Sequence, residues 1–224
     1  MRILSLIFLF FISGNLLAQE CTDFYLLNEG KQYEMTSYNK RGKVQGRQTM
    51  TVKELKRSNG KVTSMVDVEL FDDKNKSVSN SSVEIECDNG VILMNMKLNL
   101  PSNVSNTSAT ATATSGNQYA EYPPNMQVGD QLRDAEMEMD IETNGMKQNL
   151  KMFITNRKVE GKETITSPAG TWEAFKITSN TRVEMTTMGI KIPVNIESTE
   201  YFVPGFGMVK SESKQGYTLL TGIK

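Results

Sequence analysis

The chain has 224 residues, with 25 Lys and Arg against 26 Asp and Glu and hence a formal charge of −1, which leaves no electrostatic case for a nucleic-acid partner. At 38% hydrophobic and 23% charged residues it can bury a core, and its composition fits neither a disordered chain nor an integral membrane protein. It contains no histidine, which removes the commonest general base, the Ser-His-Asp and Cys-His arrangements and nearly every imidazole-based zinc or copper site.

Met1 and Arg2 make a short positive region, residues 3–12 are apolar apart from Ser5, and Ser13-Gly14-Asn15 precede Leu16-Leu17-Ala18. That is the pattern of a secretory signal peptide over residues 1–18, cleaved after Ala18. A membrane anchor needs about 20 apolar residues and this core has roughly half of them. The protein is therefore expected to be exported, periplasmic or outer-membrane-associated, and not an integral membrane protein. Cys21 follows Ala18-Gln19-Glu20, a poor context for lipoprotein processing. With Cys87 it makes the pair expected of an exported disulfide.

The rest of the chain alternates in period two, with turn residues every eight to twelve positions, so the predicted class is all-β: antiparallel meanders forming one strongly curved sheet, half-barrel or barrel-like. The first strand runs near residues 31–38 to the turn Asn39-Lys40-Arg41-Gly42, and the second near 45–55 to Ser58-Asn59-Gly60. The third carries Val62, Val66, Val68 and Leu70 on one parity. In the fourth, Val83, Ile85 and Cys87 share a parity, which aims the Cys87 sulfur at the core. The fifth places Ile92, Met94, Met96 and Leu98 on one side. Residues 101–124 are rich in Ser, Thr, Asn and Ala and read as a solvated linker or a thin edge strand.

Beyond that segment Met137, Met139 and Ile141 alternate with Glu136, Glu138, Asp140 and Glu142, Asn144-Gly145 reads as a hairpin turn, and Leu150, Met152 and Ile154 follow on one face. A long strand starts at Thr171. Ile190, Ile192, Val194 and Ile196 then hold even positions while Tyr201 and Val203 hold odd ones, which predicts a bulge between Glu197 and Tyr201. Pro193 fits an edge or bulge position. The domain organisation is a single β-rich domain over 19–224, in which two halves, 19–100 and 125–224, echo one another across the polar segment 101–124. Gly30-Lys31-Gln32-Tyr33 matches Gly129-Asp130-Gln131-Leu132 in this way.

Several segments carry a family likeness: Cys87-Asp88-Asn89-Gly90, the run Asn125-Met126-Gln127-Val128-Gly129-Asp130-Gln131-Leu132-Arg133-Asp134-Ala135, Ser167-Pro168-Ala169-Gly170-Thr171-Trp172, and Tyr201-Phe202-Val203-Pro204-Gly205-Phe206-Gly207 with the residues that follow it. On these the chain resembles the TapB-like secreted bacterial β-proteins, within a wider group of domains of unknown function. The resemblance implies a β-rich, barrel-like or half-barrel envelope domain and transfers no catalytic residue. The polar stretch from Asn103 to Ser115 is where this chain departs most from it.

Fourteen methionines include the pairs Met94-x-Met96 and Met137-x-Met139. Thioethers can hold Cu(I), but strand neighbours at i and i+2 point the same way, and methionine commonly fills cores and adaptable pockets. Core packing is therefore the first reading of this face, with Met94, Met96, Met137, Met139, Met152, Ile192 and Ile196 the candidate lining if it instead encloses an apolar cavity, and no metal or cofactor is expected. The four acids from Glu136 to Glu142 fit a solvated strand face better than a hydrolytic carboxylate pair. Tyr201, Phe202 and Phe206 around the glycine turn are first read as structural, the glycines permitting positive φ and the aromatics capping the barrel end, and second as a candidate partner-binding tip. The expected function is that of a non-enzymatic exported binding or accessory protein holding an apolar small molecule or lipid on its concave face. The alternative is a structural or assembly factor that binds an envelope protein through its sheet edges.

Overall fold

The alternating runs fold into one antiparallel sheet. The computed structural model describes residues 21–99, 110–115, 118–143 and 146–224; the expected signal peptide, residues 100–109 of the polar segment and the Asn144-Gly145 turn lie outside the described residues. Among them are thirteen strands: β1 (Gln32–Asn39), β2 (Val44–Ser58), β3 (Lys61–Asp72), β4 (Ser77–Asp88), β5 (Val91–Asn95), β6 (Thr110–Ser115), β7 (Tyr119–Tyr122), β8 (Ala135–Thr143), β9 (Met146–Ser167), β10 (Gly170–Thr187), β11 (Ile190–Val203), β12 (Gly207–Ser213) and β13 (Gly216–Ile223). Their order is β6-β8-β9-β10-β11-β12-β13-β1-β2-β3-β4-β5-β7. Two meanders therefore meet where β13 pairs with β1, and the sheet curls until it is nearly closed into a barrel.

Tight connections follow from residue type. Asn59-Gly60 and Asn89-Gly90 both take positive φ at both positions, the conformation of the two-residue hairpin turn whose twist matches that of the strands it joins. The polar segment contributes β6 at one end of the sheet and β7 at the other, so the edge-strand reading applies to residues 110–115. Two expectations are corrected. The fifth strand stops at Asn95, and Met96–Asn99 turn as a 3-10 helix, so Met96 and Leu98 do not continue the face of Met94. The register between β10 and β11 is unbroken from Ile190 to Phe202, and the bulge falls on the other side, against β12 at Tyr201/Phe202. Tyr201 is buried on the outer face by its own neighbours: its hydroxyl donates to Glu212 at 2.9 Å and Lys210 lies 4.9 Å from its ring centroid.

One end of the barrel is floored by the start of the described chain. Two 3-10 turns, Cys21–Asp23 and Tyr25–Leu27, bury Phe24, Leu26 and Leu27. The Ser64 hydroxyl donates to the Leu26 carbonyl at 2.8 Å, and the Tyr25 amide donates to the Gly205 carbonyl at 2.8 Å. The Cys21–Cys87 disulfide, with Cα atoms 5.6 Å apart, ties this floor to β4. Met137, Met139, Leu150, Met152 and Ile154 form the core face of β8 and β9, all buried. The acids on the other face of β8 meet cations and amides of β9: Lys151 lies 3.1 Å from Glu138, and Asn149 donates to Glu138 and Asp140 at 2.9 Å.

Replacing Cys21 and Cys87 together by serine releases a loop with a sequence separation of 66 and is expected to cost about 4 kcal/mol in the chain-entropy picture. Urea unfolding of the oxidised protein and the double variant measures it. A loss below about 1 kcal/mol would show that the floor docks without its covalent tie.

Candidate functional site

The end strand β7 comes up against the β8–β9 pair near the other end of the sheet, and among the described residues no ladder joins them; a side chain does. Arg157 on β9 is 1% exposed. Its Nη1 donates to the carbonyls of Glu121 on β7 at 3.0 Å and of Arg133 just before β8 at 3.1 Å, and its Nη2 reaches Glu200 on β11 at 3.5 Å. The guanidinium lies 4.8 Å from the Tyr122 ring centroid. Tyr122 stacks on Phe202 at 4.1 Å with 6° between the rings, and its hydroxyl donates to both Glu200 oxygens at 3.0 Å. Burial works to discharge the guanidinium, but the facing Tyr122 oxygen and the Glu200 carboxylate outweigh it and its pKa is raised. Burial, reinforced by the Glu200 charge, pushes the Tyr122 hydroxyl far above the ordinary tyrosine value. Arg157 thus stays a cation and Tyr122 keeps its proton.

Backbone completes the seam. The Leu132 amide donates to the Arg157 carbonyl at 2.8 Å, the Val159 amide to Asp130 at 2.9 Å and the Gly129 amide to Val159 at 2.8 Å. The run from Asn125 to Ala135, one of the segments that carried the family likeness, is this crossing. Asn156 on β9 has φ 53°; before it Leu150, Met152 and Ile154 face inward, after it Arg157 and Val159 do. The parity switch turns Arg157 into the barrel. That switch between Ile154 and Val159 is visible in the sequence and is the signal that would have singled out Arg157, which no motif marks.

Above the floor lies a cavity of about 370 Å³. Its apolar part includes Leu26, Met35, Met50, Leu70, Met94 and Met208. Its upper wall is a belt of hydroxyls set by register. Ser179 faces Ser198 and Ser198 faces Ser213, while Glu200, Ser211, Thr218, Ser37 and Gly46 stand in one row across β11, β12, β13, β1 and β2. Ser37 and Thr218 hydroxyls are 3.0 Å apart, and those of Ser179 and Ser198 are 3.1 Å apart. Arg47, between the inward Gly46 and Gln48, touches the cavity margin but turns its side chain to the outer face. Its terminal nitrogens donate to Glu34 at 2.7 Å and Asn75 at 2.6 Å, its plane lies 4.3 Å from the Phe71 centroid, and its Nε is buried without a hydrogen-bond partner among the described residues. A wider hollow of about 910 Å³ lies along β9 to β13, but its three lysines and three glutamates balance. Lys158 pairs with Glu160 at 3.1 Å and Lys214 with Glu197 at 2.7 Å.

Of the seven residues expected to line a cavity, Met94 and Ile196 do so. Met96, Met137, Met139 and Met152 are core residues, and Ile192 is 56% exposed, because β11 runs past its β12 partner there. The turn around Phe206 does not present a tip for a partner. Tyr201 and Phe202 are 2% exposed, and Phe206 packs on Tyr25 at 4.9 Å, Trp172 at 5.4 Å and Tyr33 at 5.8 Å. The floor occupies that turn from within the chain. Among the described residues there is no group of three or more His, Cys, Asp and Glu placed to hold a metal ion, and no helix long and apolar enough to cross a membrane.

The match to a family model covers residues 28–222, from just after the floor to the last strand. The chain belongs to the DUF3108-like family. Two solved structures share the fold of this DUF3108-like protein. A Bacteroides fragilis protein, described as exported with a YmcC-like fold, is 20% identical and superposes with a TM-score of 0.72 over 88% of this chain and 96% of its own. A Parabacteroides distasonis protein, described as a lipoprotein, is 22% identical with a TM-score of 0.75 over 90% and 98% of the two chains. No curated protein matches the sequence.

Replacing Arg157 by Met leaves Glu200 facing the interior without its cation and two edge carbonyls without donors, and is expected to cost about 3–5 kcal/mol in urea unfolding. Arg157→Met with Glu200→Met together is expected to recover part of that loss, because no uncompensated charge remains. A single Arg157→Met variant within about 1 kcal/mol of the parent would mean that the backbone contacts of residues 129–133 close the seam alone.

Proposed function

We propose that this DUF3108-like protein is a non-enzymatic, exported carrier that holds an amphiphile inside its barrel, in the envelope space of a bacterium. The observation that carries the reading is the cavity of about 370 Å³, within the range of about 300–1,000 Å³ of small-molecule sites. Its walls divide by chemistry: methionine and leucine below, a ring of Ser and Thr hydroxyls above. Methionine walls adapt to chains of varied shape, and hydroxyls that both donate and accept suit a polar head. The charges of Arg157 and Glu200 are already committed to each other and to the seam, which favours binding over proton-transfer chemistry.

Export is supported by the apolar leader with Ala18 at its end, by a disulfide that an oxidising compartment maintains, and by the descriptions of the two structural relatives. The narrower likeness to the TapB-like secreted proteins belongs to the same reading. An assembly role through sheet edges is less favoured, because Pro193 stands in the edge portion of β11, where a missing N–H discourages strand addition.

Titration with N-phenyl-1-naphthylamine, whose fluorescence rises in an apolar site, is expected to saturate at one molecule per protein and to be reversed by a long-chain fatty acid. Ile196→Trp, which fills space at the cavity rim, is expected to weaken uptake by about tenfold or more with the unfolding midpoint retained. Absence of saturable uptake in the parent protein, or undiminished uptake by a folded Ile196→Trp variant, would remove the carrier reading.

A further inference from the structure

The β10–β11 hairpin carries the largest exposed apolar surface of the described chain. Beyond Ser198, where pairing with β12 ends, β11 continues with only β10 beside it among the described residues. Its inner face bears Val194, Ile192 and Ile190 and leads to Met188 at the turn, with exposures of 47%, 56%, 67% and 82%. Exposure thus climbs steadily toward the tip. On the same face the stripe runs inward to Ile196, which lines the cavity; from Ile196 to Ile190 it spans about 20 Å.

The turn itself departs from the local rule. Asn59-Gly60 and Asn89-Gly90 place asparagine where positive φ is needed, the residue that such turns favour. At the third turn of this kind Met188 takes φ 50° and Gly189 φ 78°. A long side chain in the left-handed region is a conformational cost that asparagine would relieve. Folding alone does not call for methionine here, since its side chain is the most exposed of the large apolar residues.

We propose that this hairpin is a membrane-docking element, and that Met188, Ile190 and Ile192 enter the boundary layer of a lipid bilayer. Side chains buried about 5–10 Å deep hold an interfacial element in place, and strand spacing puts these three within that depth of the tip. A protein strand is a poorer occupant, because Pro193 interrupts the free edge. A flat protein interface fits a surface whose exposure peaks at a single turn less well than a fluid apolar phase does. Within the hairpin Arg182 and Glu184 pair with each other, and Lys191 stands on the face opposite the stripe, where its long side chain can keep the ammonium at the headgroups. The stripe ends at the cavity, which places the docked lipid surface in line with the interior, but docking does not depend on the carrier reading.

Flotation of the purified protein with vesicles of phosphatidylethanolamine and phosphatidylglycerol tests this. The parent protein is expected to float, and Met188→Asn to bind about tenfold more weakly with an equal or higher unfolding midpoint, because the substitution improves the turn. Ile190→Ser with Ile192→Ser is expected to abolish flotation while N-phenyl-1-naphthylamine uptake persists, which separates docking from cavity binding. A parent protein that does not float, or a Met188→Asn variant that floats equally well, overturns the proposal. So does a concentration-dependent dimer in sedimentation velocity that Met188→Asn dissolves, since the stripe would then be a contact between two copies.

Discussion

A sheet that curls toward closure must do something with its two ends, and here a single guanidinium does it. Arg157 donates to a carbonyl on β7 and to another just before β8, standing in for the ladder hydrogen bonds that these strands do not make with each other. Burying that cation without Glu200 and the Tyr122 ring would be costly; with them every strong group at the seam has a partner. The stacked Tyr122 and Phe202 then fix how far β7 stands from β11. Together with the backbone bonds between residues 129–132 and β9, this latch holds the interior as a cavity rather than an open trough.

The interior is built from three sources. The floor comes from the chain's own start, tethered by the disulfide and locked under the Gly205 turn. The apolar wall comes from strand faces whose alternation selects Met, Leu and Ile. The hydroxyl belt is different in kind: Ser179, Ser198, Ser211, Ser213, Thr218 and Ser37 are scattered over five strands and become neighbours only through register. In most small barrels such positions hold close-packed apolar side chains; small hydroxyl residues there leave space, and the space is polar on one side.

The hairpin tip and the cavity lie on one continuous strand face, yet local energetics treat them differently. Inward of Ser198 neighbouring strands shield the face, and toward Met188 nothing among the described residues does. A strand that outruns its neighbour by eight residues while keeping an apolar face leaves that face uncovered among the described residues.

How much of this was legible beforehand varies residue by residue. The alternation of Val83, Ile85 and Cys87 located the disulfide and its direction, and the Asn-Gly pairs located hairpins, because both depend on contacts a few residues apart. Met96 was misplaced because a 3-10 turn follows β5, and Ile192 because nothing local reports where a partner strand stops. Arg157 left one trace, the parity switch around Asn156. That aromatics cap the barrel end was legible at Phe202 and Phe206, but not what they pack on, because the Phe24–Tyr25 segment is some 180 residues away in the chain. By itself the sequence determined an all-β chain with an inward face and a disulfide, since period-two patterning and turn chemistry are local. Only the tertiary structure decided which strands become neighbours, and with that the latch, the belt and the projecting stripe, because register and closure are set by contacts between residues far apart in the chain.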